Sequence, residues 1–143
     1  MIMAKEPLKL IFTDLVSALS TKIDPELIYL GNRPNITEGS TMTKFVMVSL
    51  PASIEDIAIG RKKFVLDTTG VFYLFQKAKK DTTLNLNATS SFVSDIEGLF
   101  PIRGEVCGAS DPTVLMRGAD ENGFQVITIT FSLQTRANVF SED

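Results

Sequence analysis

The segment "GFQVITITFSL", residues 123–133, alternates apolar and hydroxyl side chains along most of its length. Successive side chains of a β-strand point to opposite faces of the sheet, so the alternation predicts a strand with two chemically different faces. The predicted core face carries Ile127, Ile129, Phe131 and Leu133. The opposite face carries Val126, Thr128, Thr130 and Ser132. This second face is mostly hydroxyl, so it can meet water or a neighbouring subunit that satisfies its groups.

A tight turn is predicted immediately before this strand. Asn122 and Gly123 follow the segment "TVLMRGA" at 113–119, which has strand character of its own. Both turn residues tolerate positive φ, so the pair favours a short connection between two antiparallel strands. The last third of the chain is therefore expected to form a hairpin.

Strand signals also dominate the middle of the chain. The segments "LIYLG" at 27–31 and "KFVMVSL" at 44–50 each predict a strand. In the segment "RKKFVLDTTGVFYLFQKAKK", residues 61–80, "DTTG" at 67–70 is typical of a hairpin turn closed by glycine. The second arm of this hairpin alternates two apolar sets, which are Val71, Tyr73 and Phe75, and Phe72 and Leu74. A strand that is apolar on both faces is expected to lie centrally in its sheet.

A first amphipathic helix is predicted near the start of the chain. Apolar residues recur there at intervals of three and four, as on one face of a helix: Leu8, Ile11, Phe12, Leu15, Val16, Leu19 and Ile23. Pro7 suits the first helical turn. The segment "DPE" at 24–26 ends the helix, because the residue before a proline avoids helical backbone angles.

A second, shorter helix is predicted after the central strands. Its apolar face carries Phe92, Val93, Ile96, Leu99 and Phe100. We expect Asn87 or Thr89 to cap the start of this helix, because their side chains can accept from free backbone N–H groups. Gly98 and Pro101 are expected to mark its end.

These elements predict an α+β fold with an antiparallel, mostly meander sheet of about five to six strands and two helices packed on one face. The segment "GEVCG" at 104–108 is expected to add a strand. Residues 1–143 are expected to form a single domain whose ends, 1–5 and 136–143, are frayed. Residues 32–43 predict a long exposed loop. A nucleotide-binding doubly wound sheet is not expected, because no glycine-rich turn joins a strand to a helix.

Composition limits the classes of protein that the sequence can encode. The chain has 143 residues, of which 44% are hydrophobic, enough for a core. Its net charge of -3 argues against a protein whose main task is to coat nucleic acid, because neutralising phosphates requires a surplus of Lys and Arg. The single cysteine, Cys107, excludes an internal disulfide. Neither a signal peptide nor a membrane span is evident, so we expect a cytosolic protein when it is made.

Catalytic and metal-binding residues are not predicted, and neither is a cofactor. The chain contains no histidine, which removes histidine-based triads, the usual zinc ligand sets and the commonest general base. Cys107 is expected to be a small residue in or beside a strand rather than a nucleophile. The carboxylate pairs are adjacent in sequence and diverge in space, as at Glu55 and Asp56. The sequence therefore predicts a protein that is not an enzyme.

Two basic runs flank the predicted hairpin, "GRKK" at 60–63 and "KAKK" at 77–80. The base of the first arm and the end of the second arm of a hairpin lie near each other. The sequence therefore predicts a basic patch that faces DNA or a partner protein, made of Arg61, Lys62, Lys63, Lys77, Lys79 and Lys80. The alternative is that these charges only protect a strand end from aggregation.

The order of elements resembles a known protein family. A leading amphipathic helix is followed by "IYLGNRP" at 28–34, "KFVMVSLP" at 44–51, "VFYLFQK" at 71–77, "IEGLFPI" at 96–102 and "GADENGFQVITITFSL" at 118–133. Together these segments resemble the tail-completion or tail-terminator proteins of long-tailed bacteriophages. The resemblance covers nearly the whole chain and rests on element order more than on invariant residues.

The resemblance implies a small α+β domain that assembles as a ring, commonly a hexamer, and has no enzymatic activity. Such a ring caps the tail tube where it joins the head. The implied partners are further copies of the chain, the tail tube protein and the head-neck connector, with duplex DNA passing through the lumen and no membrane. The implied location is the host cytoplasm during assembly and then the tail or neck of the virion.

Candidate contact residues follow from this implied role. The strand face that could meet a neighbouring subunit offers Thr128, Thr130 and Ser132. Loops that could reach the tube protein or the connector carry Arg33, Asn35, Glu38, Glu55 and Asp56. The alternatives are a related neck, head-closure or tube-like subunit, a small non-viral binding module, and an enzyme that uses carboxylates alone.

Overall fold

The computed structural model describes residues 7–31, 34, 42–50, 67–79 and 84–135 of the chain. In chain order these residues form α1 (Pro7–Leu19), a short 3-10 helix (Pro25–Leu27), β1 (Ile28–Leu30), β2 (Lys44–Ser49), β3 (Asp67–Lys77), α2 (Leu86–Glu97), β4 (Ile102–Arg103), β5 (Cys107–Ala119) and β6 (Phe124–Thr135). The α+β class is confirmed. The predicted frayed ends and most of the predicted loop at 32–43 lie outside the described residues.

The six strands form one sheet in the order β1-β2-β3-β6-β5-β4. The predicted strand number is confirmed, but the prediction of an antiparallel meander is wrong in two details. First, β1 and β2 are parallel. Parallel neighbours need a connection of a dozen or more residues, which the segment between Leu30 and Lys44 provides. Second, β6 lies between β3 and β5 instead of following β5 at an edge, because it is buried along most of its length.

The predicted turn at "DTTG" is wrong, because these four residues lie inside β3. They pair with β6, and Gly70 is opposite Phe131. A Cβ atom added to Gly70 would lie 2.6 Å from the Phe131 ring. Glycine is therefore required here for the close approach of an aromatic ring and not for a turn. The predicted first arm of that hairpin, before Asp67, lies outside the described residues.

Both helices pack on the same face of the sheet, as predicted. Ile11, Leu15 and Leu19 of α1 are fully buried in the main core. Phe92 and Ile96 of α2 join the same core. The sheet contributes Val46, Val48, Phe72, Leu74, Ile127, Ile129, Phe131 and Leu133. The predicted core face of β6 is therefore confirmed. The predicted helix faces are confirmed at these five positions, whereas Ile23, Leu99 and Phe100 lie beyond the ends of α1 and α2 and Val16 does not join the core.

The start of α2 differs from the prediction. Its N-cap residue is Asn85, and neither Asn87 nor Thr89 occupies that position. Thr89 precedes Phe92 by three residues and so lies on the buried face of the helix, where it is 3% exposed. The predicted end at Gly98 is confirmed.

A carboxylate fixes α1 to the turn between β4 and β5. Asp14 accepts hydrogen bonds from the backbone N–H groups of Glu105 (3.1 Å), Val106 (2.8 Å) and Cys107 (3.1 Å). A side chain at Gly104 would collide with the Asp14 carboxylate. Of the segment predicted as an extra strand at 104–108, the first three residues form this turn and the last two begin β5.

The predicted hairpin between β5 and β6 is confirmed, but its turn differs from the expected conformation. Gly123 has a φ of 82°, whereas Asn122 does not have a positive φ. The Asp120 carboxylate accepts hydrogen bonds from the N–H groups of Asn122 and Phe124, each at 2.9 Å. An aspartate-capped loop with one left-handed glycine therefore replaces the expected two-residue turn.

Candidate assembly surface

The sheet has a second face, opposite α1 and α2, which we call the open face. Among the described residues, neither α-helix contributes a side chain to its apolar cluster. The cluster lies at one end of the open face, and its three buried members are Phe45, Phe75 and Phe124. The sheet therefore carries a second apolar cluster on this face, and the three rings at its centre are buried.

The aromatic rings at this end are held in fixed positions. The rings of Phe45 and Phe75 stack with their centroids 4.3 Å apart, and Phe124 meets Phe45 edge to face at 5.3 Å. Tyr29 contacts Phe45 from β1 at 5.8 Å, also edge to face. The Lys77 ammonium lies 5.4 Å from the centroid of the Phe124 ring. Such contacts add to the free energy of burial and orient the surface around them.

A continuous row of side chains crosses the open face next to these rings. Strand pairing aligns five residues, one from each of five neighbouring strands: Tyr29, Met47, Tyr73, Thr128 and Leu115. Directly paired residues point to the same face of a sheet. Tyr29, Met47 and Tyr73 are half-buried, and Leu115 is 49% exposed. The row is therefore partly accessible to a partner.

The rest of the open face is rich in hydroxyl groups. The next row contains Ser49, Val71, Thr130 and Thr113, and the row after it contains Thr69, Ser132 and Ser110. No residue of these three rows carries a charge. A surface that is apolar at one end and hydroxyl-rich at the other suits another protein better than a polyanion, since phosphates require Lys and Arg.

The predicted interface residues lie at the centre of this face. Thr128, Thr130 and Ser132 all belong to β6, which is flanked by β3 and β5. Thr128 is only 3% exposed, and its hydroxyl donates to the Leu115 carbonyl oxygen at 3.5 Å. Thr130 and Ser132 are half-buried. Of the three, Thr130 and Ser132 are thus the residues that a neighbouring subunit can reach.

The structure describes only part of the predicted basic patch. Lys77 and Lys79 are exposed at the end of β3. Arg61, Lys62, Lys63 and Lys80 lie outside the described residues. The hairpin turn at 67–70 that motivated the patch does not form, so the patch stays a prediction without that support.

The predicted partner-loop residues also lie outside the described part of the chain. These residues are Arg33, Asn35, Glu38, Glu55 and Asp56. Their proposed contacts with the tube protein or the connector stay predictions.

Sequence reasoning missed part of the open face. Alternation assigns Tyr73 to one face of β3 and Thr128 to one face of β6, but it does not show that the two residues are neighbours. Met47, Tyr29 and Leu115 join the row only through the strand register. The local signal available for these three residues was the strand character of the segments that contain them.

A cleft of about 660 Å³ lies elsewhere, between α1 and the β4–β5 turn. Two carboxylate residues line it, Asp14 and Glu105. The Asp14 carboxylate accepts hydrogen bonds from three backbone N–H groups. Glu105 is exposed to solvent. This arrangement is that of a structural link between two elements. Cys107 is fully buried at the start of β5, as expected of a small strand residue.

The described residues contain neither a candidate metal site nor a helix that could span a membrane. Within the described ranges, no group of three or more His, Cys, Asp or Glu side chains is placed to hold a metal ion. No helix in that part of the chain has the length and apolar character needed to cross a membrane.

The fold and the open face define a class of domain. It is an α+β domain with helices on one face of a six-stranded mixed sheet and an uncharged aromatic and hydroxyl surface on the other. Comparison with known proteins gave no match, whether with protein-family models, with curated proteins or with solved structures.

Proposed function

We propose that this protein is a non-enzymatic virion assembly protein, similar in role to the tail terminators of long-tailed bacteriophages. In this role it forms an oligomeric ring that caps the tail tube and joins the tail to the head. The observation that carries the proposal is the uncharged open face, with its row of aligned residues from Tyr29 to Leu115, of which Tyr29, Met47 and Tyr73 are half-buried.

The open face has the composition that a subunit interface requires. Aromatic residues and methionine are enriched where proteins contact one another, and charges are depleted at the centre of such contacts. Tyr73 and Met47 supply these side chains in adjacent positions on β3 and β2. Ser132 and Thr130 supply hydroxyl groups that can bond across a contact without the free-energy cost of burying a charge.

A closed ring also needs a second surface that differs from the first. Head-to-tail contacts join unlike patches on neighbouring copies. They form a closed ring when the rotation from one copy to the next is a whole-number fraction of 360°. A groove of about 620 Å³ between α1 and β1 supplies such a patch, lined by Phe12, Val16 and Leu30. Leu30 is half-exposed at the edge strand of the sheet. The two surfaces lie on opposite sides of the sheet, which supports contacts in two directions.

The proposed partners follow from the same role. Lys77 and Lys79 are exposed beside the aromatic end of the open face. We propose that they face the tail tube protein, the head-neck connector or the DNA that passes through the ring. The proposed locations are the host cytoplasm during assembly and the tail or neck of the finished virion.

The experiment that tests this proposal is to image the purified chain by electron microscopy, alone and mixed with the tail tube subunit. We expect rings of one defined size, commonly hexamers, that occupy one end of the tube. Long stacks of rings would instead favour a tube-like subunit. Particles of monomer size in both samples would contradict the proposal.

A further inference from the structure

We propose that the outer edge of β5 pairs with the same edge of a second copy of this chain. The paired segment is 113–117, and the two strands run antiparallel about a two-fold axis at Leu115. This contact goes beyond the proposed ring, because it joins identical surfaces whereas the ring joins unlike ones. It could link two rings or hold free subunits in pairs.

The outer edge of β5 is largely unpaired within the described residues. β5 spans Cys107–Ala119, but β4 pairs only with Gly108 and Ala109. No other described strand adjoins that edge, because β5 has β6 as its other neighbour. A strand edge of this kind presents backbone N–H and C=O groups to any strand that aligns with it.

The exposed side chains of this segment lie on both faces of the sheet. Leu115 is 49% exposed and points to the open face, as does its pairing partner Thr128. Met116 is 48% exposed and points to the helix face, as does its partner Ile127. A protein that docks on one face would cover only one of the two side chains. A strand added in the plane of the sheet contacts both, and this favours edge pairing.

The sequence of the segment is complementary to itself. In an antiparallel pair centred on Leu115, each Leu115 is opposite its copy, and Val114 is opposite Met116 of the other chain. Apolar pairs then form on both faces of the joined sheet. Thr113 is opposite Arg117 at each end of the segment.

Charge distinguishes the antiparallel arrangement from a parallel one. The strand has one acidic residue, Asp111, before the paired segment and one basic residue, Arg117, at its end. In the antiparallel register each Arg117 is opposite Thr113 and so lies two residues along the strand from Asp111 of the other copy. A parallel copy in register would place like charges side by side, which is destabilising. The occupant that suits this edge is therefore a second copy of the same strand.

Irregularities limit the length of the pairing. The register of β5 against β6 shifts between Ser110 and Thr113 and again between Met116 and Gly118. Pro112, within the first irregularity, has no N–H group to donate. The regular edge is thus short, and we expect a reversible dimer that forms in the micromolar range.

Cysteine cross-linking tests the register of this pairing. In a Cys107→Ala background, Leu115→Cys places two thiols opposite each other on the two-fold axis, where antiparallel Cα separations of about 4.5–5.5 Å permit a disulfide. We expect mild oxidation to give a covalent dimer in high yield. Leu86→Cys is the control, because Leu86 is 65% exposed on α2 and far in sequence from the edge. Equal yields from the two variants would overturn the proposal.

Complementary charges provide a second test that does not depend on oxidation. In a dimer of either Leu115→Lys or Leu115→Glu, two like charges meet at the two-fold axis. We therefore expect the dimer dissociation constant, measured by sedimentation equilibrium, to rise at least about tenfold in each variant. An equimolar mixture of the two variants is expected to restore the dimer as a heterodimer. Failure of the mixture to recover, with both variants folded, would contradict the assigned register.

This proposal and the proposed ring can fail separately. Ser132→Arg alters the open face two rows away from Leu115, so it is expected to abolish rings and leave the Leu115→Cys cross-link intact. Met116→Lys changes the same edge on the helix face, so loss of the Leu115→Cys cross-link in this variant, with rings retained, would confirm that the two contacts are distinct.

Discussion

The Asp14 carboxylate accepts a hydrogen bond of 2.8 Å from the backbone N–H of Val106, which lies 92 residues away in the sequence. The same carboxylate also accepts the N–H groups of Glu105 and Cys107. These bonds join α1, the first described helix, to the turn that begins β5. Because β5 carries the edge and part of the open face described above, the position of both surfaces depends on this link.

Asp14→Asn is expected to destabilise the fold. The amide keeps one acceptor oxygen but places an NH2 group against backbone donors, so we expect a loss of about 1–3 kcal/mol in the free energy of unfolding. Urea denaturation followed by circular dichroism measures this change. Glu26→Gln is the control, because it makes the same change from acid to amide at an exposed residue, in the short 3-10 helix. An equal change in both variants would show that the Asp14 bonds contribute nothing.

Gly70→Ala is expected to destabilise the sheet. The added methyl group would lie 2.6 Å from the Phe131 ring, so we expect a loss of about 1–3 kcal/mol. Gly108→Ala is the matched control, because its added methyl group would make only an ordinary contact, at 3.4 Å from the Ile102 carbonyl oxygen. Thermal unfolding of the two variants provides the comparison.

A double variant identifies the cause of that loss. If the Phe131 ring is the obstacle, Gly70→Ala is expected to cost less in a Phe131→Leu background than in the native protein. Identical costs in both backgrounds would mean that backbone conformation, not the ring, requires glycine at this position.

Gly70 also illustrates what the sequence could and could not predict. Periodicity identified α1, α2, β2 and β6, because the spacing of apolar residues along one segment is a local property. The "DTTG" segment has local turn character, but its position in β3 depends on Phe131, which is distant in sequence. Local chemistry therefore predicted a turn where a tertiary contact dictates a strand.

The open face was predictable only in part for the same reason. The hydroxyl pattern of β6 indicated Thr130 and Ser132 from the sequence. Tyr29 and Met47 join them through a parallel pair of strands, and neither composition nor spacing indicates strand direction or register. The complete set of residues on the open face could therefore be identified only from the three-dimensional structure.

Gly123→Ala is expected to destabilise the β5–β6 hairpin. Gly123 has a φ of 82°, a left-handed conformation that costs an L-residue with a Cβ atom about 1–2 kcal/mol. Gly123→Asn is expected to lose less, because asparagine tolerates this conformation better than alanine does. Thermal unfolding of the two variants checks the order, and equal or reversed effects would contradict a role for positive φ.

Reversing the charge of the basic residues is expected to weaken the joining of tails to heads. The variant changes Lys62, Lys63, Lys79 and Lys80 to glutamate, and the control changes the exposed Lys22, which follows the end of α1. Complementation of a phage lacking the protein measures joining as the yield of infectious particles. Full yield with the fourfold variant would remove the basic patch from the proposed function.

The central claim is that the open face joins copies of this chain into a ring. Sedimentation velocity tests it most directly, on the native chain, on Ser132→Arg and on Ser91→Arg, each with and without the tail tube subunit. Ser91 is exposed on α2, so its variant adds the same charge on the helix side. We predict a ring-sized species for the native chain and Ser91→Arg, and monomers or dimers for Ser132→Arg. A native chain that sediments as a monomer in both conditions, or a Ser132→Arg variant that still forms rings, would contradict the claim.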